Sequence, residues 1–104
     1  MSVSSVYAVF ADAEEAERIG RAMVEERLAA CINILGPIRS IYRWKGAVET
    51  ADETAAILKT THDRADALIT RIAALHSYDV PCVVTWPIDK ITSDYADWVE
   101  QSVG

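Results

Sequence analysis

The spacing of apolar residues divides the chain into strands and helices that follow one another from the start. Val3–Phe10 is rich in valine and aromatic residues and ends at Ala11-Asp12, so it is predicted to be a strand. Asp12 is a predicted N-cap, because Glu15 follows three residues later and apolar residues recur at helical spacing beyond it. The first helix is therefore expected over residues 13–29.

The middle of the chain is predicted to be a long hairpin. Ile32–Leu35 and Ile38–Trp44 are rich in β-branched and aromatic residues and are separated only by Gly36-Pro37. Lys45-Gly46 then turns the chain, and Val48–Thr61 returns as a second extended segment.

The last third of the chain repeats the helix and strand pattern. Asp63 is expected to cap a second helix that ends near His76-Ser77. Cys82–Trp86 is a continuous apolar run, which is typical of a strand buried on both faces or lying at an interface. Thr92-Ser93-Asp94 can cap a short final helix.

This order of elements predicts an α+β fold in one domain that covers residues 1–104. The order β-α-β-β-α-β with an added C-terminal helix is that of the ferredoxin-like sandwich, in which two helices pack on one face of an antiparallel sheet. The other sheet face has no cover within one chain, and Tyr42, Trp44 and Trp86 are candidates to lie there. Burial of that face against identical subunits would be the simplest solution, so a homo-oligomer is expected.

The composition and the net charge limit the classes of molecule that the protein is expected to bind. The chain has 104 residues, of which 51% are hydrophobic and only 4 are glycine, as in a compact globular domain. A net charge of −6 argues against binding to nucleic acid or to anionic membranes and favours cations. No leader or membrane span is recognised near the N-terminus, so a cytoplasmic location is expected, with Cys31 and Cys82 as free thiols.

The strong local signatures of enzymes are absent from the sequence. It contains no Gly-x-Ser-x-Gly, no glycine-rich phosphate loop and no Cys-x-x-Cys. Cys31 has apolar neighbours on both sides, which is typical of a buried, inert thiol. The run Ser40–Gly46 interleaves aromatic and basic residues, and the negative net charge favours packing between subunits over stacking on single-stranded nucleic acid.

One cluster of residues has the chemistry of a metal site. His76, Asp79 and Cys82 supply an imidazole, a carboxylate and a thiolate within seven residues. Their spacing matches no tight structural zinc pattern. His76 at the end of a helix can equally cap carbonyl groups and meet the negative end of the helix dipole.

Several segments, taken together and in order, resemble the CutA divalent-cation tolerance family. The segments are Leu28-Ala29-Ala30-Cys31-Ile32-Asn33, Ser40-Ile41-Tyr42-Arg43-Trp44-Lys45-Gly46, Glu53 with Leu58-Lys59-Thr60, and His76-x-Tyr78-x-Val80-Pro81. The match as a whole runs in order across nearly the whole chain, from Val6 to Trp98. The resemblance implies a ferredoxin-like subunit in a tight homotrimer, related in shape to PII-type signal proteins and linked to copper and other divalent ions. It implies no established catalytic reaction.

The sequence departs from the family pattern where a metal site would matter. Cys82 stands where family members usually have a glutamate, and Ala8 stands where some members have a cysteine. A histidine pair of some members falls on Leu75 and His76, which leaves one imidazole.

Three hypotheses about function follow. The first is a non-enzymatic homotrimer without a tightly bound cofactor, which binds copper, zinc or another divalent ion at His76, with Cys82 and Asp79 as partners. The second is a trimeric signalling or scaffold module that binds a small ligand or a protein in clefts between subunits, lined by Tyr42, Trp44, Lys59 and Tyr78. The third is a small enzyme with His76 as base and Cys82 as nucleophile, which requires a fast-reacting thiol.

Overall fold

The computed structural model describes residues 2–104, so Met1, the first residue of the predicted domain, lies outside the described residues. This part of the chain forms four strands and three helices: β1 Val3–Phe10, α1 Ala13–Glu25, β2 Cys31–Trp44, β3 Ala47–Thr61, α2 Ala65–Leu75, β4 Val83–Pro87 and α3 Ser93–Ser102. A 3₁₀ turn over His62–Arg64 precedes α2. The predicted order of elements is confirmed.

The four strands form one antiparallel sheet in the order β2-β3-β1-β4. Helices α1 and α2 cover one face of it, where alternate residues of β1 meet the apolar stripes of both helices. The main core lies between these layers and includes Val6, Ala8, Phe10, Ile19, Met23, Leu58, Leu68 and Ile72, all fully buried.

Helix α1 ends four residues before the predicted boundary at residue 29. Asp12 caps its start as expected, since its Oδ1 accepts the N–H of Glu15 at 2.8 Å. At the other end Arg27 has a left-handed φ of 61°, and the N–H of Leu28 donates to the carbonyl of Met23 at 3.0 Å. This is a Schellman motif, a helix terminator that usually carries glycine at the left-handed position. Because an arginine occupies that position here, the usual stop signal is missing from the sequence.

The start of the second helix also differs from the prediction. Asp63 does not cap α2, because it lies inside the 3₁₀ turn over His62–Arg64. Its carboxylate instead accepts a hydrogen bond from the Thr61 side chain, which lowers the pKa of Asp63. The chain therefore begins to coil two residues earlier than an Asp63 cap would allow.

A β-bulge at Leu35 decides which side chains of β2 face away from the helices. Ile34 lies opposite Ala56, whereas Gly36 lies opposite Ala55, so one extra residue is inserted into β2. Since side chains alternate between faces, this insertion reverses the facing of every later residue in the strand. Tyr42 and Trp44 consequently lie on the face opposite α1 and α2.

The second sheet face is partly covered within one chain, which corrects the prediction that it is bare. Helix α3 lies over one end of it, where Val99 packs with Val3 and Ala30 in a small second core. The Tyr95 hydroxyl lies 3.4 Å from the Cys31 sulfur at the same end. Cys31 is thus a partly buried free thiol with a polar neighbour.

The far end of the hairpin extends beyond the other strands as a two-stranded ribbon, residues 37–53, called the arm below. Pairing between β1 and β3 stops at Phe10 opposite Thr54, so among the described residues β2 alone pairs with β3 along the arm. The chain is accordingly elongated, with a longest dimension of 45 Å. Within residues 2–104, no helix is long and apolar enough to cross a membrane.

Candidate functional site

A cleft of about 550 Å³ lies on the sheet face opposite α1 and α2. The arm forms one wall, and residues 76–82, which connect α2 to β4, form the other. The lining residues are Tyr7 and Val9 of β1, Ile38, Ser40, Tyr42, Trp44 and Glu53 of the arm, and Tyr78, Asp79, Val80 and Cys82 of the connecting segment. The reversal of facing at the Leu35 bulge is what brings the even-numbered β2 residues of the arm, Ile38, Ser40, Tyr42 and Trp44, into this cleft.

The backbone of Val9 anchors the 76–82 segment to the sheet. The N–H of Val9 donates to the carbonyl of Cys82 at 3.1 Å. The carbonyl of Val9 accepts a hydrogen bond from Nε2 of His76 at 2.8 Å. Both ends of the segment are therefore fixed to one strand residue, and the side chains between them project over the cleft.

His76 is a structural residue behind this cleft. Its side chain is fully buried and stacks on Phe10, with ring centroids 5.4 Å apart and planes inclined by 11°. Nδ1 accepts the N–H of Tyr78 at 3.0 Å, while Nε2 donates to Val9. Both ring nitrogens form hydrogen bonds within the chain, and Nδ1 does so as an acceptor. A nitrogen that accepts a hydrogen bond carries no proton, so the geometry fits a neutral imidazole.

A buried carboxylate supports the same segment from α1. The side chain of Glu15 accepts the N–H of Ala11 and the N–H of Ser77, each at 2.9 Å. Burial on its own would raise the pKa of Glu15, but hydrogen bonds from Ser77 and Ala11 lower it below the ordinary value of 4.5. Ionised Glu15 therefore stabilises the fold above pH 4.5, and this contribution is lost as the pH falls through the lower, folded-state pKa.

Tyr78 and Glu53 join the two walls of the cleft. The Tyr78 hydroxyl donates to Oε2 of Glu53 at 2.8 Å. Burial, together with the hydrogen bond to Glu53 and its negative charge, raises the pKa of Tyr78 to about 12. Tyr78 thus remains a neutral donor at physiological pH, and it also packs against His76 with ring centroids 4.7 Å apart.

Cys82 has the electrostatic environment of an unreactive thiol. Burial raises its pKa, and the nearby Glu53 carboxylate raises it further. The nucleophilic form of cysteine is the thiolate, so a raised pKa lowers its concentration at neutral pH. This setting is the opposite of the one that an active-site nucleophile requires.

We expect Cys82 to alkylate slowly and with a high apparent pKa. In a Cys31→Ala background, the iodoacetamide reaction near pH 7.5 should be slower than that of an unstructured cysteine peptide and should rise about tenfold per pH unit. Removing the negative charge by Glu53→Gln should lower the pKa of Cys82 and speed the reaction at fixed pH. Fast alkylation at neutral pH in the Cys31→Ala protein would contradict this assignment.

The structure brings together some of the predicted site residues and separates others. Tyr42, Trp44 and Tyr78 line one cleft, together with Asp79 and Cys82. Lys59 is not among the lining residues, because it lies opposite Ser5 and Cys31 towards the α3 end of the sheet. Three of the four residues predicted for a ligand cleft between subunits therefore line one cleft within the single chain, and their binding role stays a prediction.

The predicted metal ligands His76, Asp79 and Cys82 are not assembled as one set. Within residues 2–104, no group of three His, Cys, Asp or Glu side chains lies close enough to hold a metal ion. The imidazole is turned towards β1 and buried, whereas Asp79 and Cys82 face the cleft. His76 does not cap the carbonyls of its own helix either, since its acceptor belongs to Val9.

Two residues of the site carry no functional signature in the sequence. The spacing of Glu15 from Asp12 signals a helix start but not a contact with Ser77 more than sixty residues away. Glu53 is one of the residues that carry the family resemblance, but its charge is typical of a protein surface and no local pattern places it beside Tyr78.

The sequence matches the family described as "CutA1 divalent ion tolerance protein" over residues 4–102. The chain belongs to the CutA1 family. It is 38% identical over 98 residues to the divalent-cation tolerance protein CutA of Archaeoglobus fulgidus, covering 94% of this chain and 95% of that protein. It is 44% identical over 91 residues to the CutA of Thermus thermophilus, covering 88% of each chain.

Solved structures of CutA proteins share the whole fold. The crystal structure of CutA from Xylella fastidiosa superposes with a TM-score of 0.96 at 34% identity and covers 100% of both chains. The structure of the A. fulgidus protein, which is described as periplasmic, gives a TM-score of 0.94 at 36% identity over 98% of this chain and 99% of that one. The predicted family membership is thereby confirmed.

Proposed function

We propose that the chain acts in divalent-cation tolerance as a non-enzymatic homotrimer. The observation that carries this proposal is the arm, which exposes apolar side chains on both of its faces. Ile41 is 71% exposed and Val48 64% exposed on one face, while Tyr42 and Trp44 are nearly half exposed on the other. A projecting ribbon of this kind is unusual for a monomer, and identical subunits packed around it would remove these side chains from water.

The non-enzymatic part of the proposal rests on the site chemistry. A Cys-His catalytic pair needs a thiol of lowered pKa beside an accessible base. The pKa of Cys82 is raised, and both nitrogens of His76 are engaged within the fold. The third hypothesis, a small enzyme built on His76 and Cys82, is therefore the least supported.

A copper or zinc ion in the cleft would reach only two of the three predicted metal ligands. Asp79 and Cys82 line the cleft and offer a carboxylate and a thiol, whereas His76 would have to lose at least one of its two hydrogen bonds to serve as a ligand. We infer that a divalent ion binds weakly at Asp79 and Cys82, with the remaining positions filled by water or by a neighbouring subunit. No tightly bound cofactor is proposed.

Calorimetric titration of chelator-stripped protein with Cu(II) and with Zn(II) tests this assignment. We expect Cys82→Ala to weaken binding about tenfold or more, because one coordinate bond is lost. Cys31→Ala, which removes the other thiol at the α3 end of the sheet, is the matched control and should leave binding unchanged. Binding that is equal in both variants, or absent in the unmodified protein, would overturn the Asp79 and Cys82 site.

A second candidate function is a trimeric signalling or scaffold module of PII-like shape that binds a small ligand in this cleft. The observation that favours it is the exposure of aromatic rings there, since Trp44 is 45% and Tyr78 36% exposed. Large aromatic side chains left accessible in a concave surface are typical of a ligand site. The cytoplasmic location expected from the sequence stays a prediction.

A further inference from the structure

We propose that His76 is a pH-sensitive switch, in which protonation of the buried imidazole releases the Tyr78 amide and loosens the middle of the 76–82 segment while the fold stays closed. The switch lies inside one chain and requires neither the metal site nor the assembly proposed above. It would regulate access to the segment that carries Asp79 and Cys82, two residues that line the cleft.

The two ring nitrogens of His76 have opposite hydrogen-bonding roles. Nε2 donates to the Val9 carbonyl at 2.8 Å, and Nδ1 accepts the Tyr78 N–H at 3.0 Å. An imidazolium has a donor at each nitrogen. Protonation therefore leaves the contact with Val9 in place, whereas at Nδ1 it sets two N–H groups against each other. The ring can carry a charge in this position only if the Tyr78 amide moves away.

A buried carboxylate lies close enough to stabilise the charged ring. His76 is fully buried, and burial alone disfavours an imidazolium, but Oε1 of Glu15 lies 3.9 Å from Nε2. Burial opposes ionisation of Glu15 as well, yet hydrogen bonds from Ser77 and Ala11 lower its pKa below 4.5. This carboxylate is therefore charged over the range near pH 6.5 in which imidazoles ordinarily titrate. A positive charge on the ring has a negative partner there, so charging the ring does not require the chain to unfold.

Two arginines on neighbouring helices have their own partners. On α1, the exposed Arg18 lies 4.0 Å from Oε2 of Glu15, the oxygen farther from the ring. On α2, Arg71 pairs with Glu26 at 2.9 Å. The two residues of β1 that contact the ring carry no charge. Glu15 is therefore the group that a charged His76 would pair with.

Release of the Tyr78 amide would be felt on the arm. The Tyr78 hydroxyl donates to Oε2 of Glu53 at 2.8 Å, and its ring packs on His76 with centroids 4.7 Å apart. Because one residue makes these contacts and the amide contact, a movement away from Nδ1 disturbs all three. Burial raises the pKa of Tyr78 to about 12 and also raises the pKa of Cys82, so neither group titrates with the imidazole. The charge of one buried ring is thus coupled to the connection between the two cleft walls.

Both ends of the segment keep their anchors in acid. The Val9 N–H donates to the carbonyl of Cys82 at 3.1 Å, and the Ser77 N–H donates to Glu15 at 2.9 Å. Neither contact uses Nδ1 of His76, so we expect both to persist when the ring is charged. The opening is confined to the residues between these anchors, which distinguishes a switch from acid unfolding.

Amide hydrogen exchange followed by NMR between about pH 7.5 and about pH 5 tests the switch. Each exchange rate is divided by that of an unstructured chain at the same pH, which removes the intrinsic pH dependence. We expect the Tyr78 amide to lose protection about tenfold or more as the His76 ring resonances titrate, while the amides of Val9 and Ser77 keep theirs. The mass measured by sedimentation at each pH separates this local change from loss of the proposed homotrimer.

His76→Gln is the variant that cannot be charged. A glutamine side chain has both an amide donor and a carbonyl acceptor, so it can take over both roles of the neutral ring. The Tyr78 amide should then keep its protection over the whole pH range. Because Glu15 and Glu53 remain, any change caused by their protonation would persist in this variant. His62→Ala removes the other histidine and should behave like the unmodified protein, which keeps the test decisive if His76→Gln does not fold.

Three results would overturn the switch. The first is a His76 ring that does not titrate in this range, or that titrates while the protection of Tyr78 stays constant. The second is an equal loss of protection in His76→Gln, which would assign the change to another group. The third is a simultaneous loss at Tyr78, Val9 and Ser77, which would indicate unfolding of the whole network.

Discussion

In the metal-free protein, His76→Ala is expected to lower the free energy of unfolding by about 3 kcal/mol or more. The substitution removes the donor to the Val9 carbonyl and the acceptor of the Tyr78 N–H. A buried polar group without a partner costs about 1–3 kcal/mol. The lost imidazole also leaves a cavity beside Phe10, whose ring it stacks on.

This loss is large for a domain of this size. Small proteins have total stabilities of about 5–15 kcal/mol, so His76→Ala would remove a substantial share of the whole. Urea unfolding in the presence of a chelator measures it directly. His62→Ala is the control: it changes the other histidine, which is exposed and whose Nδ1 lies 3.3 Å from the Ser4 hydroxyl oxygen, and it is expected to cost about 1 kcal/mol, clearly less than His76→Ala.

The comparison separates a structural role of His76 from a metal-ligand role. If His76 served chiefly to bind metal, its removal would change metal affinity and leave the chelated protein about as stable as before. Equal stability of the two histidine variants in chelator would contradict the structural assignment. It follows that a loss of metal binding in His76→Ala is informative only after folding has been verified.

Placing lysines on the arm is expected to separate the proposed homotrimer into monomers. Ile41 and Val48 lie on the same face of the arm and are among the most exposed apolar side chains of the chain. The double variant Ile41→Lys and Val48→Lys introduces two charges that would be buried in a trimer, which costs several kcal/mol per ion. Because both positions are exposed in the single chain, the fold itself should tolerate the change.

Sedimentation at micromolar concentration reports the result. We expect a mass of three chains for the unmodified protein and of one 11.5 kDa chain for the double variant. Ala73→Lys with Ala74→Lys, at exposed positions of α2, adds the same charge elsewhere and should leave the mass unchanged. If the double variant does not fold, the milder single variant Ile41→Ser is used for the same mass measurement. An unmodified protein that sediments at the one-chain mass would overturn the homotrimer.

The element order was readable from the sequence because it depends on local patterns. Val3–Phe10 and the helical spacing after Asp12 each reflect burial of one face, which the chain encodes directly. The end of α1 was not readable, since Arg27 adopts the left-handed conformation that glycine usually marks.

The residues that the sequence suggested for a ligand cleft are only partly brought together. Tyr42, Trp44 and Tyr78 line one cleft, whereas the strand register carries Lys59 to the other end of the sheet. A one-residue bulge at Leu35 sets the facing of the arm; Gly36-Pro37 marks an interruption there, but the sequence does not fix how many residues are inserted.

The role of His76 depends on a contact that spans most of the chain. Its hydrogen bond reaches Val9, so neither its place at the end of α2 nor its distance from Cys82 along the sequence could reveal it. Proximity in sequence suggested a shared metal site, whereas the fold directs the imidazole inward and Cys82 towards the cleft.

The central claim is that ligands enter the cleft while the His76 and Glu15 network behind it remains intact. Amide chemical-shift mapping during a titration with Zn(II) tests this claim most directly. We predict the largest shifts at the amides of Glu53, Val80 and Cys82, with those of Ala11 and Ser77, which donate to Glu15, unchanged. Largest shifts at Ala11 and Ser77 would mean that the buried network is the binding site and would contradict the account.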